Sequence, residues 1–369
     1  MIMRRQYFLL CIIALVAVWS LPSALYSLSF RDTSHGDTSK LPKSCGSCHR
    51  GHGIVNTRML PTSKDVFCFR CHGESLSREQ LRQDGLISSD VFLQNIRREF
   101  DKPFRHPIEM TGRHVYGETL PETDPSMPRH AECVDCHHHH YVTRENKHLG
   151  LKGTNVQGQQ VQPISNEYEL CFNCHSYSAN LPSDQTNKAT LFDISNPSYH
   201  PVVGQGKNNN VSSLLSPLTP ASMIKCTDCH GNDDVFGPKG PHGSNYERLL
   251  KKKFVSTDGG SSSDQYELCF SCHASASILS DEIHSRHVSG VGASCRTCHN
   301  PHGSMQYTHL IDLNNISISP SSGFALQFND LGDRAGECYL SCHGRDHNPG
   351  IYPSNATSPL SIQRRLLKK

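Results

Sequence analysis

Tyr168-Glu169-Leu170-Cys171-Phe172-Asn173-Cys174-His175 is the stretch that decides how this chain is read. Two cysteines two residues apart, with a histidine directly after the second, form the attachment signature of c-type haem. The thiols become thioethers on the two vinyl groups of one porphyrin, and the adjacent imidazole reaches the iron from the same side. The C-x-x-C-H pattern returns at Cys45–His49, Cys68–His72, Cys133–His137, Cys226–His230, Cys269–His273 and Cys295–His299. An eighth copy, Cys338-Tyr339-Leu340-Ser341-Cys342-His343, has one extra residue between its cysteines. These motifs use all but one of the 17 cysteines, and the odd one, Cys11, lies in an apolar N-terminal stretch.

Rival readings fail on the histidine. Two C-x-x-C knuckles can converge on one zinc ion, a single one can be a redox dithiol, and cysteines of an exported chain can pair as disulfides. None of these needs a histidine after every second cysteine. The pattern therefore predicts eight covalent haem c groups. Their thioethers fall on Cys45, Cys48, Cys68, Cys71, Cys133, Cys136, Cys171, Cys174, Cys226, Cys229, Cys269, Cys272, Cys295, Cys298, Cys338 and Cys342. The proximal iron ligands are His49, His72, His137, His175, His230, His273, His299 and His343.

Composition agrees with a core built from something other than side chains. Only 36% of the 369 residues are hydrophobic and there is one Trp, against about 45–50% apolar residues in ordinary globular domains. Porphyrins supply the missing apolar area. The expected fold is that of a multihaem cytochrome c, loop-rich with short α-helices and little or no β-sheet, organised around a chain of haems. Without haem the polypeptide is expected to be largely disordered.

The first 29 residues read as a secretory signal: Arg4 and Arg5, an apolar run from Tyr7 to Leu21, then small and polar residues with Ala24, Ser27 and Ser29 as candidate ends. Export to the periplasm, the outer surface or the extracellular space follows, which suits thioether haem. No other stretch approaches the roughly 20 apolar residues of a membrane span. Formal charge is +2, and haem propionates would turn the loaded protein acidic. Arg364, Arg365, Lys368 and Lys369, and the run Lys251–Lys253, read as solvated faces and are too small to indicate nucleic acid.

The motifs alternate between two kinds. Phe69, Phe172, Phe270 and Tyr339 follow the first cysteine in one kind, whereas the motifs at Cys45, Cys133, Cys226 and Cys295 are polar and tend to carry a second His-Gly. His106-Pro107 and His200-Pro201 stand at nearly equal intervals before Cys133 and Cys226. Such repetition implies one unit copied along the chain, each leaning on its neighbours. The expected divisions are 30–150 for haems 1–3, 151–258 for haems 4–5, 259–347 for haems 6–8, and a C-terminal tail over 348–369. Polar linkers lie at 153–162, 205–210 and 257–263. A helix is expected over 77–100 from its patchy apolar face, with short helical turns starting near each second cysteine.

Glu169-Leu170-Cys171-Phe172-Asn173-Cys174-His175, Asn196–Val202, and Pro241–Ser244 and Pro301–Ser304 together resemble the doubled-CxxCH multihaem cytochromes typical of metal-respiring bacteria. The resemblance covers about residues 43–347. The run His137–His140 and the stretched last motif depart from it.

Repeat position marks the far-side iron ligands. His52, His140 and His302 stand three residues after a proximal histidine, and His242 shares the Pro-His-Gly setting. His106 and His200 hold the His-Pro position, with His287 or His284 as the short-linker counterpart; the last place falls to His347, with His309 competing. His35, His114, His130, His138, His139 and His148 read as surface residues. Two imidazoles per iron keep the potential low, where methionine would raise it. The expected function is low-potential electron transfer, respiratory or extracellular, to metals or other terminal acceptors. Partners are other redox proteins, an outer-membrane conduit or further copies of the chain. The alternative is a reductase of nitrite, hydroxylamine or a sulfur oxyanion, which needs one open iron.

Overall fold

The computed structural model describes residues 29–53, 59–108, 130–179, 181, 185–332 and 334–356. All but the last residue of the expected signal, His114 and the basic cluster after residue 363 lie outside them.

The cysteine motifs set the local structure. Cys133–Cys136, Cys226–Cys229 and Cys295–Cys298 are single helical turns, and the motifs at Cys68 and Cys171 end nine-residue helices, Lys64–His72 and Glu167–His175. Turns thus start at or ahead of the first cysteine, earlier than expected. In two of the turns a carboxylate three residues in caps the start: Asp135 accepts from the Glu132 N–H at 2.6 Å and Asp228 from the Lys225 N–H at 2.7 Å.

The helix expected over 77–100 is shorter. It covers Ser75–Gln83 and stops at Gly85, whose φ of 66° is left-handed. Beyond that break Leu86 and Ile87 fold back onto Leu41 and Leu81, and Arg97–Asp101 forms a separate 3-10 turn. The apolar stripe was two segments packed on different neighbours.

Strand structure is sparse. Phe104–Arg105 pairs with Gly243–Ser244, Ser198–Tyr199 with Gly303–Ser304, and Gly153–Thr154 with Gln160–Val161, each an antiparallel ladder of two residues. Among the described residues pairing is sustained only near the C-terminus. There Ala335–Cys342 is flanked by Arg345–Tyr352 on one side and by Gln327–Gly332 and Ile318–Ser319 along the other. Residues 348–352, expected to open the tail, belong to that sheet.

The core is divided into small clusters, and each contains a motif cysteine. Phe172, Ala189, Phe192, Tyr199 and Val202 pack with Cys226; Leu41, Leu81, Leu86 and Ile87 with Cys71; Leu313, Ile318, Phe328 and Leu340 with Cys338 and Cys342. No described helix is long and apolar enough to cross a membrane.

Candidate functional site

An iron bound by two imidazoles sits about 2 Å from each nitrogen, which places the ring centres about 6 Å apart. The regular motif histidines all face a second imidazole at that spacing. His49 faces His140 at 6.2 Å, His72 faces His35 at 6.2 Å, and His137 faces His242 at 6.1 Å. His175 faces His106 at 6.4 Å and His230 faces His302 at 6.2 Å. His273 faces His200 at 6.5 Å and His299 faces His284 at 6.1 Å.

The ring orientations suit metal binding. His230 Nδ1 bonds the Arg248 carbonyl at 2.8 Å, His299 Nδ1 that of His309 at 2.9 Å, and His106 Nδ1 that of Pro241 at 2.6 Å. His200 Nδ1 bonds the Pro301 carbonyl, and His35 Nδ1 that of His139 at 2.8 Å. A proton committed at Nδ1 makes Nε2 the lone-pair nitrogen and fixes the ring plane. Burial also pushes the imidazoles of His72, His242, His273 and His299 down to about 4, with neighbouring histidines adding to it. They are neutral at pH 7, the state a metal ligand requires.

Two ladders set the geometry of four pairs. Strand residues 104–105 and 243–244 hold His106 beside His242, and 198–199 and 303–304 hold His200 beside His302. Each ladder therefore carries one imidazole to an aromatic motif and one to the preceding polar motif. His140 follows the same rule, reaching back to the motif at Cys45.

Several residues lie elsewhere than expected. His52 is exposed, and among the described residues no imidazole faces it. His35, read as surface, stands opposite His72, and His130 is buried at 6% exposure. His284 rather than His287 faces His299. His309 turns Nε2 to Asp330 at 3.0 Å. His148 stacks on His137 at 5.9 Å and so competes with His242, but only His242 shares the ladder position of His302. His287 faces His347 at 6.0 Å, and His343 is paired with neither. Three of the four histidines in the run are used: His137 is a motif histidine, the His139 carbonyl orients His35, and His140 faces His49.

Thiols of several neighbouring motifs lie near enough to perturb one another: Cys48 and Cys68, Cys171 and Cys226, Cys229 and Cys272, Cys269 and Cys295, and Cys298 with both Cys338 and Cys342. None of the sixteen is in a disulfide. In the seven regular motifs, unbridged thiols stand beside a histidine that faces a second imidazole across a metal-sized gap, an arrangement that fits covalent haem.

Residues 40–76 and 219–278 match the family model described as the doubled CXXCH motif, and residues 254–316 match that of the NapC/NirT cytochrome c family, N-terminal region. The chain is a multihaem c-type cytochrome. Searches of curated proteins and of solved structures returned no match. In the cytochrome the matched segments hold the motifs at Cys45, Cys68, Cys226, Cys269 and Cys295. Covalent haem and electron transfer follow from that membership in kind. The loop-rich fold with short helices is that of such a protein.

Proposed function

We propose that this cytochrome carries electrons at low potential along eight haems, bonded through the sixteen motif cysteines. It passes them between redox partners outside the cytoplasm, in respiratory or extracellular transfer to metals or other terminal acceptors. The observation that carries this reading is the second imidazole opposite every regular motif histidine, from His49–His140 to His299–His284. Two imidazoles close both axial positions of an iron, so electrons leave through porphyrin edges and no substrate binds the metal. The nearness of thiols in neighbouring motifs, Cys171 to Cys226, Cys269 to Cys295 and Cys298 to Cys338, supports transfer from motif to motif.

Intact mass and a spectroelectrochemical titration of the mature protein test it. The mass is expected to exceed the polypeptide by eight haems, and all haems are expected to reduce below the range of His/Met-ligated cytochromes. Catalytic turnover of nitrite or hydroxylamine at an open haem would replace the carrier with a reductase.

A further inference from the structure

Three phenylalanines outside the cysteine motifs each meet, edge-on, an imidazole that faces a motif histidine. Phe30 packs against His140 with ring centres 5.6 Å apart and planes crossed at 84°. Phe192 packs against His302 at 5.5 Å and 86°, and Phe100 against His242 at 5.7 Å and 62°. The three imidazoles face His49, His230 and His137, all in polar motifs. Phe100 and Phe192 are both buried.

The contacts belong to one repeated unit. Each phenylalanine lies in or directly after a short helical turn: Phe30–Asp32, Arg97–Asp101 or Lys188–Leu191. It stands five, six or eight residues ahead of His35, His106 or His200, which face the histidines of aromatic motifs. Those three rings bond through Nδ1 to the carbonyls of His139, Pro241 and Pro301. These residues directly precede His140, His242 and His302. One imidazole of each unit is thus fixed by a hydrogen bond, and the other meets a phenylalanine. In two units the backbones almost touch. A Cβ on Gly243 would lie 1.7 Å from the Glu99 carbonyl oxygen, and one on Gly303 2.0 Å from that of Leu191. Each carbonyl belongs to the residue before the phenylalanine, so the ring and the histidine strand are pressed together.

Packing does here what the Nδ1 bond does elsewhere. His242 Nδ1 is buried and has no hydrogen-bond partner among the described residues. At the fourth polar motif, where His284 faces His299, Asp281 holds Nδ1 instead. Ring orientation matters because the plane of an axial imidazole selects the iron d orbital that its π electrons meet. Parallel imidazoles separate those orbitals in energy, and crossed imidazoles bring them together. His302 lies within 4° of parallel to His230, so this pair has most to lose by rotation.

We infer that Phe30, Phe100 and Phe192 are positioning residues for the haems of His49, His137 and His230, each fixing the plane of the distal imidazole by edge-on contact. The inference rests on the paired-imidazole carrier reading and adds the side chains that hold its rings.

Electron paramagnetic resonance of oxidised variants tests it. His302→Ala first identifies the signal, since it removes the low-spin contribution of the His230 haem. Phe192→Leu keeps most of the bulk without the flat edge. It is expected to move that one signal to a larger g maximum, with every haem still attached and low-spin. Phe192→Tyr keeps the ring and is expected to retain the parent signal. Phe100→Leu is expected to move the signal of the His137 haem in the same way. Val156→Ala thins the core cluster that holds Phe192 and is expected to lower stability without moving the signal. A signal unmoved in Phe192→Leu, or moved equally in Val156→Ala, would overturn the inference and leave the carrier reading standing. Failure of His302→Ala to remove any low-spin signal would overturn the pairing itself and the inference with it.

Discussion

The backbone N–H of His200 donates to the carbonyl of His302 at 3.2 Å, and that of His106 donates to His242 at 3.3 Å. In each ladder the two imidazoles tied back to back face different motif histidines, His273 and His230 in one and His175 and His137 in the other. Position along the repeat, and not proximity in sequence, decides which motif each faces.

His200→Ala is accordingly expected to retain every thioether haem, since attachment uses only the cysteines and the motif histidine. One haem, that of His273, is expected to become five-coordinate or water-ligated and to rise in potential on losing a strong donor. An optical spectrum and redox titration unchanged from the parent would remove His200 from the ligand set.

His35 and His52 make a discriminating pair. His35→Ala is expected to convert the haem of His72 to high spin, and His52→Ala to leave the spectrum untouched. The reverse result would restore the three-residue rule at the first motif.

How much of this was legible follows from where each signal lies. The cysteines and motif histidines are contiguous in sequence, and the Pro-His-Gly and His-Pro settings mark His106, His200, His242 and His302 by repetition. His35 has no following proline, and its partner is a segment closed by the Val142 carbonyl at Ser34 N–H, 2.9 Å, a long-range bond without local signature. Its one available signal was position: it precedes an aromatic motif, as His106 and His200 do. The choice of His284 over His287 depends on Asp281, which caps the turn and holds His284 Nδ1. The C-terminal hairpin was hidden by its own motif, because Cys-x-x-x-Cys-His reads as attachment before it reads as alternating strand residues and a two-residue turn.

Asp281 is placed to tune the haem proposed between His299 and His284. Its carboxylate accepts from His284 Nδ1 at 2.8 Å, which would strengthen the imidazole as a donor and lower the iron potential. Asp281→Asn keeps the helix cap and removes the charge. One haem is expected to shift upward by tens of millivolts, given about 59 mV per tenfold change for one electron. Equal movement of all waves, or none, would contradict this role.

Lys102 links the segments that carry His106 and His242. It binds Glu99 at 2.6 Å and Asp233 at 2.8 Å, with its side chain 16% exposed. Burial opposes the charge on Asp233, but the bonds from Lys102 and Asn245 more than offset it and hold the carboxyl below its usual range. The stabilisation is full above the unfolded carboxyl pKa and is lost as pH falls through the folded one. Lys102→Met is expected to cost about 3 kcal/mol, by stranding two carboxylates, and to flatten the acid limb of thermal stability. Thermal unfolding from pH 7 to pH 3 measures both.

Electron paramagnetic resonance of the fully oxidised protein tests the central claim most directly, because it reads the axial state of every iron at once. Paired imidazoles at each haem predict low-spin ferric signals alone, unchanged by cyanide or nitrite. A high-spin signal of one haem's intensity that either ligand removes would show an open iron and contradict the closed, electron-carrying chain.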